Sequence, residues 1–197
     1  NIERVRQALI THELVLHYQP KVNMRTGQVV GVEALIRWQH PVKGLQAPAL
    51  FLPVIEDHPL AVDVGEWVID AALRQVEEWQ TIGIELPISV NVGARQLQQL
   101  GFVARLRDIL ARHPLVKPGL LALEVLETGA LEDVGGVSQV ISQCKLMGVE
   151  FALDDFGTGY SSLTYLKRLP VTLLKMDQSF VRDMLVDSDD LAILEGV

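Results

Sequence analysis

Five short apolar segments of this chain each carry, at or near their end, a residue able to bind a metal or move a proton. Glu33 lies in Val29–Ile36, Asn91 in Pro87–Val92 and Glu124 in Leu120–Leu126. Asp154 and Asp155 end Val149–Asp155, and Lys175 and Asp177 end Val171–Asp177. A strand buried on both faces reads as a near-continuous apolar run, so an ionic residue at its end needs a reason. In parallel strands such residues converge on one rim of the sheet, where a barrel builds its active site.

Glu33, Asn91, Glu124 and Asp154 offer only oxygen ligands, which suit a hard or intermediate cation such as Mg²⁺ or Mn²⁺. A second cation near Asp155 would make a two-metal site, able to activate water and to stabilise both oxygens of a phosphoester displacement. For Asn91 alone, a strand-end turn is an equal reading. The densest run is Asp154-Asp155-Phe156-Gly157-Thr158-Gly159-Tyr160-Ser161-Ser162-Leu163. Its two glycines allow a tight loop, and Ser161 or Ser162 can cap a following helix. As turn and cap formers the two aspartates would be unremarkable; at the end of an apolar strand, opposite other acids, they point to a site. Asp-Phe-Gly also occurs in kinases, but the glycine-rich and His-Arg-Asp loops that accompany it there are absent.

Lys175, inside Leu173–Met176, is costly to bury without a partner. It can neutralise the acids, orient a water or stabilise transition-state charge; a salt bridge to Asp177 is the structural alternative. Arg37 can fork onto a phosphate or form a surface ion pair. Nucleophilic catalysis finds little support: there is no Gly-x-Ser-x-Gly, and Cys144 lacks an evident histidine partner. His12, His17, His40, His58 and His113 show no zinc spacing.

The elements that must position these residues follow from periodicity. Ile2–Thr11 predicts a short helix, and Leu14–Val22 and Val29–Ile36, joined by the turn-rich Asn23–Gly27, predict an antiparallel hairpin. Helical spacing then recurs over Val64–Trp79, Leu97–Leu110 and Val134–Cys144, each stretch preceding an apolar strand. This alternation predicts an α/β fold with a mostly parallel sheet. Six strands fall two units short of an eight-stranded βα barrel, which takes about 250 residues. The alternative, an open doubly wound sheet, lacks a glycine-rich phosphate loop after the first strand. His40–Asp57 is the longest irregular stretch and could overhang the site.

With 197 residues and 49% hydrophobic residues, the chain fits one domain, residues 1–197. No apolar run approaches the roughly 20 residues of a membrane span and no secretory leader is visible, so the chain reads as cytoplasmic and without membrane contact of its own. Cys144 is expected to be a core thiol. The net charge of −8 and the lack of a basic stripe argue against extended nucleic acid, although divalent cations can bring an anionic ligand into an acidic pocket. The first residue is Asn1, which suggests a domain cut from a longer protein.

Six blocks in order resemble the EAL domain family of cyclic di-GMP phosphodiesterases across nearly the whole chain. They are Tyr18-Gln19-Pro20, Val32-Glu33-Ala34-Leu35-Ile36-Arg37-Trp38, Ser89–Leu97, Leu123-Glu124-Val125-Leu126-Glu127-Thr128, Asp154–Leu163 and Leu174-Lys175-Met176-Asp177-Gln178-Ser179-Phe180. The resemblance implies a TIM-type βα barrel with an antiparallel first hairpin, truncated here before its last two strands. It further implies metal-dependent hydrolysis of cyclic di-GMP to linear pGpG, with a catalytically inactive receptor as the alternative. Degenerate receptors are expected to lose ligands at Glu33, Asn91, Glu124 or Asp155, and all four are kept.

By the same resemblance, Glu33, Asn91, Glu124 and Asp154 match first-metal ligands, and Asp155 matches a second-metal ligand that helps to orient the water. Lys175 matches a catalytic lysine, and Glu127 the glutamate holding the loop after Asp155. Gln19, Arg37 and Asp177 match substrate contacts. A homodimer and an upstream sensor or GGDEF-type domain are the expected partners. Glu195-Gly196-Val197 mimics part of a later family motif but stands too close to Lys175, so Glu195 receives no role. Glu56-Asp57-His58-Pro59 replaces a common glycine-containing turn. Truncation predicts that these 197 residues alone hydrolyse cyclic di-GMP poorly.

Overall fold

A computed structural model describes residues 1–156, 167–176 and 178–183. The first helix, α1 (Ile2–Ile10), is capped by Asn1, whose side chain accepts from the Glu3 amide at 3.0 Å. Strands β1 (Leu14–Val22) and β2 (Val29–His40) form the expected antiparallel hairpin. Its turn has a local cause: Asn23 Oδ1 accepts from the Arg25 and Thr26 amides, and Gly27 takes φ 69°.

Four parallel strands follow the hairpin, with helices beside them among the described residues. Helix α2 (Leu60–Thr81) leads to β4 (Ile88–Asn91), and α3 (Ala94–Leu97) and α4 (Phe102–Ala111) lead to β5 (Leu121–Leu126). Helices α5 (Glu127–Glu132) and α6 (Val134–Leu146) lead to β6 (Glu150–Phe156); β7 (Leu173–Met176) and α7 (Gln178–Asp183) complete the described elements. The hydrogen-bonded order is β1-β2-β4-β5-β6-β7, with β2, β4, β5, β6 and β7 successively parallel.

Two sequence expectations need correction. The apolar spacing of Leu97–Leu110 is not one helix: Gly101, at φ 84°, separates α3 from α4, and Leu100 is 95% exposed. A left-handed glycine ends helical geometry regardless of the hydrophobic pattern around it. The stretch His40–Asp57 is also more ordered than expected. Strand β3 (Gly44–Gln46) folds back onto the end of β2, which runs on to His40, and two 3₁₀ turns follow over Pro48–Leu50 and Leu52–Val54.

The parallel strands divide their residues by alternation. Val90, Leu123, Val125, Phe151 and Leu153 join the buried cluster with Val64, Val68 and Leu73 of α2, Leu106 and Ile109 of α4, and Val137, Ile141 and Cys144 of α6. Burial of a leucine such as Leu123 contributes about 2 kcal/mol. Cys144 is the expected core thiol, and burial pushes it up to about 12. The opposite alternation phase carries Ser89 and Asn91, Glu124, Asp154 and Lys175. That phase builds the site.

Candidate functional site

Strand register places the polar residues side by side. Gln19 on β1 is opposite Glu33 on β2, Glu33 is level with Ser89 on β4, and Asn91 is level with Glu124 on β5. Register then breaks: Leu153 faces Leu174 and Phe156 faces Met176, so β6 spends one more residue than β7 on this interval. The extra residue is a bulge at Asp154–Asp155, beside Lys175. Bulges re-aim side chains near functional sites, and Asp155 adopts φ 53° to make this one. Its amide donates to Asp154 Oδ1 at 2.9 Å, fixing the neighbouring carboxylate.

The charges converge as the sequence predicts. Glu33, Glu124 and Asp154 each offer a carboxylate oxygen within 4.8 Å of the others. Lys175 Nζ donates to Glu124 Oε2 at 2.6 Å, Glu33 Oε2 at 3.1 Å and Asp154 Oδ2 at 3.2 Å. Asn91 Nδ2 donates to Glu33 Oε1 at 2.8 Å, which leaves its carbonyl oxygen as the atom a cation would take. Asn91 is therefore part of the cluster rather than only a strand-end residue.

Glu124 is the buried centre, with a side-chain exposure of 0%. Burial alone would raise its carboxyl, but hydrogen bonds from Lys175 and Lys21 outweigh that and hold it below the ordinary carboxylate range. Burial likewise opposes the charge on Lys175, while the hydrogen bond to Glu124 and the charges of Glu124, Glu33 and Asp154 raise its pKa. Among the described residues, the three carboxylates of Glu33, Glu124 and Asp154 thus face the two ammoniums of Lys21 and Lys175, leaving a negative excess. A hard oxygen donor set with that excess fits a divalent cation.

Lys21 is the participant that sequence reasoning missed. Its Nζ donates to Glu124 Oε1, and to Ser89 Oγ at 2.6 Å. A faint signal existed: Lys21 is two residues from Gln19 on a strand, hence on the same face.

The remaining expected site residues are placed less fully. Glu127 is completely buried at the first position of α5, one residue beyond β5. The segment it is expected to hold, residues 157–166, lies outside the described residues, as do Asp177 and Glu195. Gln19 is exposed opposite Glu33. Arg37 is half-buried four residues beyond Glu33, and its Nη1 donates to the Ile36 carbonyl at 2.8 Å. His113 lies away from the site: its ring nitrogens contact Glu77 and Asp70 at 2.9 and 3.1 Å.

A parallel sheet with covering helices and an acid cluster at its strand ends is the arrangement in which a βα barrel builds its site, and this cluster could hold a cation. The EAL domain model matches residues 2–197, and the chain belongs to that family. It is 47% identical over 194 residues to the bifunctional diguanylate cyclase/cyclic di-GMP phosphodiesterase MucR of Pseudomonas aeruginosa, covering 98% of this chain and 28% of MucR. It is 41% identical over 180 residues to the cyclic di-GMP phosphodiesterase PdeR of Escherichia coli, covering 91% of this chain and 27% of PdeR. The chain thus spans less than a third of the length of these relatives.

Among solved structures, a c-di-GMP complex of the PaMucR phosphodiesterase superposes with a TM-score of 0.92 at 46% identity, over 100% of this chain and 79% of that one. The c-di-GMP-bound EAL domain of FimX from Pseudomonas aeruginosa gives 0.88 at 26% identity, over 99% and 78%. The sheet described above is accordingly the wall of a TIM-like barrel.

Proposed function

We propose that this chain supplies the catalytic site of a cyclic di-GMP phosphodiesterase that opens one phosphodiester to give linear pGpG. The observation that carries the reading is the convergence of Glu33, Glu124 and Asp154, with Lys175 Nζ touching all three. Names of relatives supply the substrate: MucR and PdeR are both called cyclic di-GMP phosphodiesterases.

Glu33, Asn91, Glu124 and Asp154 would hold a first Mg²⁺ or Mn²⁺, and Asp155 would help to hold a second. Such ions supply Lewis acidity to a phosphoryl oxygen and lower the pKa of a water. The chain's own residues do the rest. Lys175 presents a cation where negative charge develops at phosphorus. Gln19, Arg37 and Asp177 would contact the dinucleotide, with Arg37 suited to a phosphate. Glu127 would anchor the segment following Asp155 and so keep that carboxylate at the rim. Water adds its oxygen to phosphorus, the bond from phosphorus to one ribose oxygen breaks, and that oxygen takes a proton.

Among the described residues no helix is long and apolar enough to cross a membrane. We further propose that residues 1–197 act as one EAL-type domain beside a sensor or GGDEF-type domain, as the bifunctional name of MucR suggests, and that the parent protein works as a homodimer.

The test is hydrolysis by the full-length protein with Mg²⁺ or Mn²⁺, followed by chromatographic detection of pGpG, beside Glu33→Ala. Wild type should turn over, and the variant should lose at least about 100-fold in rate. Tight cyclic di-GMP binding without turnover would establish a receptor instead.

A further inference from the structure

Lys21 is not needed by the catalytic scheme above, yet it is built into the site's floor. It reaches from β1 across the sheet to Ser89 on β4 and Glu124 on β5. Ser89 Oγ in turn donates to the Val32 carbonyl on β2 at 3.4 Å. Four strands are therefore joined through this one ammonium. Its side chain is 28% exposed, against 0% for the carboxylate it contacts.

The two oxygens of Glu124 are divided between two cations. Oε1 belongs to Lys21 and Oε2 to Lys175. Lys175 holds Oε2 while it also contacts Glu33 and Asp154, so the other oxygen, Oε1, is left to Lys21. Among the described residues Lys21 contacts one carboxylate, and it is held from behind by Ser89. A carboxylate in a buried site adopts the rotation that keeps both oxygens paired.

We infer that Lys21 is a positioning residue: by clamping Oε1 of Glu124 it turns Oε2 toward Glu33 and Asp154 and so sets the site's affinity for a divalent cation. The inference rests on the metal reading proposed above. Partners of metal ligands tune affinity in this way, and their loss typically weakens binding about 10–100-fold. Lys21 acts only through Glu124, so its loss should be made good by excess metal.

The experiment titrates the full-length protein with Mn²⁺ alone, following the free-ion signal by electron paramagnetic resonance, for wild type and Lys21→Met. The variant should keep its circular dichroism spectrum and bind Mn²⁺ about 10–100-fold more weakly. Its kcat should fall at low Mn²⁺ and recover at saturating Mn²⁺, with KM for cyclic di-GMP unchanged there. Folded Lys21→Met with affinity within about twofold of wild type would overturn the assignment. A kcat that stays low at saturating Mn²⁺ would overturn it too, by placing Lys21 in the reaction itself. If Lys21→Met does not fold, Lys21→Gln carries the test, because it removes the ammonium and keeps a polar side chain. A severalfold weaker Mn²⁺ affinity in that variant supports the role, and an unchanged one overturns it. Wild type that takes up no Mn²⁺ would sink the metal reading and the Lys21 assignment together; the other adverse outcomes sink Lys21 alone.

Discussion

Glu124 and Asn91 stand level on adjacent strands, yet burial separates what their substitution should do. Glu124 is completely enclosed between two ammoniums, so Glu124→Gln leaves both short of a charge partner. The expected cost is about 2 kcal/mol, below the range for fully buried pairs because Lys21 and Lys175 keep some solvent. Urea denaturation should show that loss together with loss of Mn²⁺ binding. Asn91 is exposed, and its bond to Glu33 contributes at most about 1 kcal/mol. Asn91→Ala should therefore leave stability within about 1 kcal/mol while weakening Mn²⁺ binding roughly tenfold. Large destabilisation by Asn91→Ala, or none by Glu124→Gln, would contradict this assignment of burial to function. At this scale the strand-end acids and Lys175 were legible because charge in an apolar run is expensive. Lys21 was not, because β1 is polar enough on its exposed face to make one more lysine look ordinary.

Element geometry depends on a few backbone positions that hydrophobic periodicity does not report. The break at Gly101 and the bulge at Asp154–Asp155 both come from left-handed residues, and each changes where side chains point. Gly148, between α6 and β6, is a sharper case, with φ 78° and an added Cβ only 2.6 Å from Pro118 Cβ. Proline's ring cannot swing aside, and the Gly119 amide ties the two loops by donating to the Gly148 carbonyl at 2.8 Å. Gly148→Ala should cost about 2 kcal/mol, or about 4–8 °C in Tm. Gly135→Ala, on α6 with its nearest neighbour at 3.8 Å, should instead stabilise by about 0.5 kcal/mol. Helix α1 is docked by charge: Glu13 accepts from Trp38 Nε1 at 2.9 Å and from Arg4 Nη2 at 2.6 Å. Those bonds, Trp38's first, hold its carboxyl at about 2 rather than 4.5. A depressed carboxyl stabilises the fold above its unfolded pKa, so the benefit is full above pH 4.5 and fades as pH falls toward 2. Thermal scans should find wild type more stable than Glu13→Gln at pH 6, with the gap narrowing through pH 3.

The whole molecule reads as a wall of strands whose outer face is held by helices and whose inner rim is held by charge. The parallel direction of the strands was legible, because apolar strands alternating with amphipathic helices permit little besides a parallel sheet, and the barrel rather than the doubly wound alternative gives their sequential order. Convergence of the rim was legible only as a consequence of that order: no stretch of sequence places Glu33 beside Lys175, which stand 142 residues apart. Since the cluster draws Glu33 from β2, Asn91 from β4, Glu124 from β5 and Asp154 from β6, a bound cation would link four strands at once. Ligand present at 100 times its Kd adds about 2.7 kcal/mol to stability. For a chain of this size that corresponds to a rise of about 5–10 °C in Tm. Calorimetry of the full-length protein with Mn²⁺ against chelator should show that rise in the transition of this domain. Amide exchange should slow in β5 and β6 and stay unchanged in α1, which contributes no ligand. Glu33→Ala should abolish both responses; an equal rise in that variant would mean that Mn²⁺ binds elsewhere on the acidic surface and that the rim is not its site.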